Sequence, residues 1–145
     1  MILLTPELHA ALRANDCARR AAARDEKPEP DPVPVVKFFN PVGAATWIAT
    51  ELYEDGDTLF GLADLGFGCP ELGVFSLSEL ASVRSSFGLF IERDEYFEPL
   101  VPLSAWADTA RRTGSILQAE TELRRVAKSP SGHELPPPLD DEEAG

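Results

Sequence analysis

The chain has 145 residues, about one domain's worth, and a formal net charge of −12 at pH 7. Most of this charge lies in residues 33–103, which hold 11 acidic and 3 basic side chains. Because affinity for nucleic acid comes largely from lysine and arginine, no direct nucleic-acid binding by this core is expected. No stretch approaches the ~20 apolar residues of a membrane span, and the start lacks a signal-peptide pattern. These features predict a cytoplasmic protein with reduced thiols.

The first predicted element is an N-terminal helix. Thr5 suits the cap, Pro6 suits the first helical position, and apolar residues follow at helical spacing to about Arg24. We assign residues 1–27 to this helix and an insert. Residues 28–34 follow as a proline-rich linker, because alternating prolines forbid a helix and favour extended chain.

Three predicted strands follow, at 35–39, 45–54 and 58–65. Asp55-Gly56 is the preferred two-residue hairpin turn between the second and third of them. With continuous pairing, Trp47 lies opposite Asp64, and Trp47 and Phe60 share one face. Both faces of the hairpin are largely apolar, which predicts a central hairpin covered on both sides.

The remainder of the chain combines short strands with helices. Ser76 and Glu79 have the spacing of a capping box, which predicts a helix ending near residue 85, after a glycine-rich loop at 66–73. Two strand segments or one kinked strand come next, closed by prolines. Two helices then follow, separated by Gly114, and Ser115 caps the second.

The sequence therefore predicts an α+β fold. A mainly antiparallel sheet has a short helix after its third strand, an N-terminal helix and a C-terminal helical extension. The α+β core domain spans 35–103, and the extension spans 104–128. Residues 129–145 are too poor in apolar side chains to fold and are expected to be a disordered acidic tail.

Lys37 and Glu51 are candidate site residues because each is a charge inside an apolar strand, where a lone charge is costly. The intervening hairpin suggests that they face each other as an ion pair. Such a lysine–carboxylate pair occurs in phosphate-cleaving metalloenzymes. A purely structural ion pair, or two side chains that reach solvent, is the more common situation.

A second candidate is the acidic stretch at 92–95. In an extended strand Glu92 and Asp94 point to one side, whereas Arg93 and Glu95 point to the other. Glu92 and Asp94 are suited to binding Mg²⁺ together, although a solvated strand face is the more common arrangement. Arg93 is expected to organise several carboxylates, Glu51 among them, as structural support or part of a docking surface.

Zinc sites and nucleophilic catalysis have no comparable support. The cysteines and histidines lack the spacing of zinc ligands, so no metal site, cofactor or catalytic residue is assigned.

Several ordered motifs resemble a known family, domain of unknown function 2958. They are "LLTPEL" at 3–8, "VKFFNPVGAATWIATEL" at 36–52, "DTLFGLADLG" at 57–66, "ELGVFSLSEL" at 71–80 and "GLFIERDEYFEP" at 88–99. The resemblance covers roughly residues 1–103; the insert "CARRAAARDEKPEP" and the residues past Leu103 depart from it. The family implies a bacterial, plasmid or mobile-element context, and no activity or catalytic residue.

Together these observations favour a non-enzymatic acidic protein-interaction or accessory module of a bacterial mobile element. One version is a decoy that imitates DNA, and another is an antitoxin-like subunit. The expected partner is a protein, with a basic protein as one option, and the oligomeric state stays open. The partner-binding or structural charge site would comprise Lys37, Glu51, Glu92, Arg93, Asp94 and Glu95. The alternative is a metal-dependent hydrolase or nuclease that uses Glu51, Glu92 and Asp94, with Lys37 in support.

Overall fold

The computed structural model describes residues 3–84 and 87–129, so most of the predicted acidic tail lies outside the described residues. Its helices are α1 (Pro6–Arg24), α2 (Leu77–Ser82), α3 (Leu103–Thr113) and α4 (Ile116–Lys128). Its strands are β1 (Val36–Phe39), β2 (Thr46–Leu52), β3 (Thr58–Asp64), β4 (Glu71–Ser76) and β5 (Glu92–Arg93). They form one antiparallel sheet in the order β4-β3-β2-β1-β5, and the predicted α+β fold is confirmed.

The N-terminal caps predicted for three helices are present in the structure. The side-chain oxygens of Thr5, Ser76 and Ser115 each accept a hydrogen bond from the backbone N–H three residues later, at 3.2, 3.1 and 3.0 Å. These bonds satisfy N–H groups that have no partner inside the helix. Gly114 ends α3 with a φ of 98°, a left-handed conformation that favours glycine.

The central hairpin forms, but a β-bulge changes its register. Glu51 lies opposite Phe60, but the register shifts between Ala49 and Glu51, so Trp47 pairs with Ala63 rather than with the predicted Asp64 and Ala49 pairs with Gly61. A β-carbon at Gly61 would collide with the carbonyl oxygen of Ile48, so the close approach of the two strands requires glycine here. The continuous pairing expected from the sequence is therefore wrong beyond the bulge.

The bulge divides the predicted apolar face between two cores. Trp47 and Ala49 belong to one buried cluster with Leu12 of α1, whereas Phe60 packs against a second cluster that contains Leu62. One extra residue moves every later side chain of a strand to the opposite face. The prediction of a central hairpin covered on both sides is nevertheless confirmed, since all seven residues of β2 are buried.

The fourth strand lies partly where the sequence suggested a loop. Residues 71–76 pair with residues 58–63 of β3, with Leu72 opposite Leu62 and Val74 opposite Phe60. The short helix α2 therefore follows the fourth strand rather than the third. β5 has only two residues, which is shorter than the strand predicted from its apolar flanks.

The C-terminal helices cover the second face of the sheet. Trp106 of α3 is fully buried in the cluster that contains Ile48 and Leu62, and Ile116 at the start of α4 joins the same cluster. The proline-rich linker meets the start of α3, where the Asp31 carboxylate accepts hydrogen bonds from the backbone N–H and hydroxyl of Ser104. This carboxylate satisfies an N–H at a helix start.

Candidate functional site at the β5 edge of the sheet

A buried lysine is the centre of a charge cluster near β5. The side chain of Lys37 is 7% exposed, and its Nζ lies 2.8 Å from Glu120 Oε1 and 3.3 Å from Asp94 Oδ2. β1 supplies the lysine, the chain after β5 supplies Asp94, and α4 supplies Glu120 across the second face of the sheet. A buried charge is tolerated when it is paired and hydrogen-bonded, and both conditions are met here.

Arg124 extends this cluster along α4. Its Nη2 lies 3.3 Å from Glu120 Oε2, and its Nε lies 3.1 Å from Glu98 Oε1. Glu120 therefore lies between two cations, one on β1 and one on its own helix. We refer to Lys37, Asp94, Glu98, Glu120 and Arg124 as the edge cluster.

Asp94 also shapes the chain that follows β5. Its backbone N–H donates to the Lys37 carbonyl at 2.9 Å, and its Oδ1 accepts from the Tyr96 N–H at 2.9 Å. This side-chain turn ends the strand. The Tyr96 side chain is left 84% exposed beside the last residues of β5.

Arg93 ties β5 to the start of the chain. Its Nη1 donates to the Leu3 carbonyl at 2.9 Å, and its Nη2 lies 3.7 Å from Glu95 Oε2. The Arg93 side chain is 16% exposed, whereas that of Glu95 is 63% exposed. Arg93 thus combines a structural hydrogen bond with an ion pair that faces solvent.

Three cavities adjoin this edge, and Asp94 lines all of them. The cavity toward α4, of about 390 Å³, also contains Lys37 and Asn40. A second of about 430 Å³ lies toward the start of α1, with Arg93 and Glu95 in its wall. The third, of about 290 Å³, is lined by Phe39, Glu92, Arg93, Asp94, Glu95 and Tyr96. Carboxylates, an exposed aromatic ring and concave surface are therefore combined at one sheet edge.

A second buried charge cluster fastens α1 to β2. Asp16 is 1% exposed, and its two carboxylate oxygens lie 2.7, 2.9 and 3.2 Å from nitrogens of Arg13, Arg19 and Arg20. Arg19 Nε also lies 2.7 Å from Glu51 Oε1. We refer to these five residues as the helix cluster.

Contacts within the helix cluster shift the pKa values of Asp16 and Arg19. Burial by itself would raise the pKa of the Asp16 carboxyl, but hydrogen bonds from Arg13 and Arg19 and the charge of Arg20 hold it below its ordinary value. The hydrogen bond from Arg19 to Glu51 correspondingly raises the pKa of Arg19.

The structure brings only some of the predicted site residues together. Lys37 lies opposite Ile48, so the prediction that it faces Glu51 is wrong. Glu51 is paired with Arg19 instead, and it is not among the carboxylates around Arg93. The first error comes from the register of β1 with β2, and the second comes from the packing of α1, which brings Arg19 to Glu51.

The set proposed for a metal is likewise divided. Glu51 belongs to the helix cluster and Asp94 to the edge cluster, while Glu92 pairs with Phe39 at the edge of the sheet. Across residues 3–84 and 87–129, no group of three or more His, Cys, Asp or Glu side chains is arranged to hold a metal ion.

Glu120 and Asp16 were missed by the sequence reasoning, although each carries a detectable signal. Glu120 follows Ile116 by four residues, and Asp16 follows Leu12 by four, so each carboxylate lies on the buried stripe of its helix. A charge at such a position must find a partner when the helix packs.

The comparison with known families agrees with the resemblance seen in the motifs. Residues 3–117 match the family described as "Protein of unknown function (DUF2958)". The chain belongs to this family. The match runs past Leu103, through α3 and into α4, so α3 is part of the family's pattern. No curated protein and no solved structure matches the chain.

Two further findings concern membrane-spanning helices and cysteines. Among the described residues, none of the helices has the length and apolar character needed to cross a membrane. Cys17 and Cys69 are both exposed free thiols.

Proposed function

We propose that the protein is a non-enzymatic interaction module that binds a basic, extended segment of another protein along the β5 edge. The observation that carries this proposal is the cavity lined by Glu92, Glu95 and the exposed ring of Tyr96, at a strand that pairs only with β1 within the described residues. An open strand edge offers backbone hydrogen bonds to an extended segment, and flanking side chains add specificity.

Charge determines the kind of segment. Five carboxylates and three cations lie at this edge, counting the edge cluster together with Glu92, Arg93 and Glu95. The surface therefore has a net negative charge. The carboxylate of Glu95 is 63% exposed and lies 3.7 Å from Arg93 Nη2, and Glu92 is partly exposed, so both remain accessible from solvent. An arginine of the partner would pair with these carboxylates and stack on Tyr96.

We further propose that the chain acts as part of a bacterial mobile element. The net charge of −12 supports a decoy that imitates DNA and occupies a basic DNA-handling enzyme. An antitoxin-like subunit would use the same carboxylate surface against a basic partner. Binding of the chain itself to nucleic acid is not part of either version.

The test is binding of a labelled nine-residue peptide of alternating arginine and valine, followed by fluorescence anisotropy at increasing salt. We expect binding that weakens with salt, because partly exposed charge pairs are screened. The double variant Glu92→Gln/Glu95→Gln should weaken binding about tenfold, at up to about 1 kcal/mol for each lost pair.

The matched control is Glu71→Gln/Glu79→Gln, which removes the same charge from exposed positions on β4 and α2. Binding by this control should stay close to that of the wild type. If both double variants weaken binding equally, the peptide responds only to net charge and the β5 edge is not the site. A peptide with glutamine in place of arginine should not bind.

A further inference from the structure

The opposite edge of the sheet differs from β5 in both charge and polarity. β4 is an edge strand of six residues, and within the described residues it pairs only with β3. Glu71, at its first position, is its only charged residue. The side chains of Leu72 and Val74 are 40% and 59% exposed. An apolar, unpaired edge is a template for adding another strand.

We propose that β4 binds β4 of a second copy of this chain, in antiparallel orientation, to form a continuous ten-stranded sheet in a two-fold dimer. An antiparallel pair of identical strands is self-complementary, as a two-fold interface requires. The proposal is independent of the basic partner proposed for β5, because the two surfaces lie on opposite edges.

The side chains define one register. When the two-fold axis passes between the two copies of Gly73, Leu72 of each copy lies opposite Val74 of the other, and the apolar pair forms twice. Both residues lie on the face of Leu62 and Phe60, their partners in β3, so the new contacts continue the second core cluster. A β-carbon at Gly73 would have open space, so the axis position is not sterically constrained.

Charge permits a second copy at β4 but disfavours one at β5. A chain with a net charge of −12 repels its copies over most of its surface, but β4 brings few carboxylates to the contact. In the register centred on Gly73, each Glu71 lies opposite Phe75 of the other copy, four positions from the second Glu71. That spacing is about 14 Å, beyond the screening length of about 8 Å at physiological salt. Pairing through the β5 edge would instead bring Glu92 and Glu95 of both copies together.

Sedimentation equilibrium of the full chain over about 1–100 µM tests the proposal. We expect a concentration-dependent approach to twice the mass of the chain. Val74→Lys should raise the dimer dissociation constant about tenfold or more, because it places a charge in an apolar contact on each side of the axis. Val42→Lys is the matched control, since Val42 is 45% exposed and lies in the turn between β1 and β2. Circular dichroism and a urea melt should show that both variants are folded.

A cross-link tests the register. With Cys17 and Cys69 both changed to Ser, Gly73→Cys should form a disulfide-linked dimer on mild oxidation, because paired positions on neighbouring strands lie within disulfide reach. Glu54→Cys, in the exposed turn between β2 and β3, should cross-link much more slowly. The proposal is overturned by a wild-type monomer throughout the concentration range, by a dimer that Val74→Lys leaves intact, or by equal cross-linking of the two cysteine variants.

Discussion

The helix cluster and the edge cluster both bury carboxylates among basic side chains, but they differ in how far these carboxylates reach the surface. In the helix cluster, both carboxylate oxygens of Asp16 contact arginines of α1. The ion pair between Arg19 and Glu51 joins α1 to β2. In the edge cluster, Asp94 is held by Lys37 yet lines three cavities. The buried charge of this protein is thus of two kinds, one enclosed between α1 and β2 and one that still reaches concave surface.

The largest effect is expected for Asp16→Ala. The change leaves three arginines without their shared carboxylate, and breaking a buried ion pair typically costs about 3–5 kcal/mol. Urea unfolding at pH 7 measures the loss. Glu54→Ala is the control, since Glu54 is 79% exposed and 3.6 Å from Arg20, so its loss should cost about 0–1 kcal/mol. Similar losses in the two variants would show that the helix cluster does not hold α1 in place.

A smaller loss is expected for Lys37→Met. Removal of the lysine leaves Asp94 and Glu120 without the cation that they share, but Arg124 still neutralises Glu120. We expect a loss of about 2–3 kcal/mol in a urea melt, between that of an unsatisfied polar group and that of a broken buried pair. Adding Glu120→Gln should restore part of the stability. If the second change only adds to the loss, the lysine and Glu120 are not coupled.

The pH dependence of stability should also distinguish the helix cluster. Because the folded-state pKa of Asp16 lies below its ordinary value of 3.8, its contribution is present at higher pH and is lost as the pH falls through the folded value. Asp16→Asn removes this titration. The difference in unfolding free energy between wild type and Asp16→Asn should therefore shrink from pH 6 toward pH 3. A difference that stays constant over that range would contradict the charge assignment.

The smallest effect on stability is expected for Glu95→Gln. Its carboxylate is 63% exposed and lies 3.7 Å from Arg93, so its loss should change the unfolding free energy by about 0.5 kcal/mol or less. Arginine-peptide binding should nevertheless weaken. Thermal melts and anisotropy on the same preparation measure the two quantities. A large loss of stability without a loss of binding would show that Glu95 has a structural role, like the charges of the helix cluster, and no role in binding.

Sequence reasoning reached the features that depend on neighbouring residues. The caps at Thr5, Ser76 and Ser115 could be predicted because each depends on hydrogen bonds within a few positions. The position of the hairpin was also predicted, but its hydrogen-bonded turn runs from Tyr53 to Gly56, with Glu54 and Asp55 at its centre rather than the predicted Asp55-Gly56. The extent of the site could not be predicted in the same way. Glu120 reaches Lys37 across 83 positions of the chain, and nothing local specifies that contact.

The sequence by itself determined the α+β class, the helix caps, the central hairpin and the acidic stretch at the end of the sheet. Only the tertiary structure decided which charges meet. The bulge between Ala49 and Glu51 and the packing of α1 bring Glu51 into an ion pair with Arg19. The packing of α4 brings Glu120 into an ion pair with Lys37. The physical reason is that a cap or a turn is stabilised by hydrogen bonds along a few residues. A buried charge instead takes the partner that strand register and helix packing bring within about 3–4 Å.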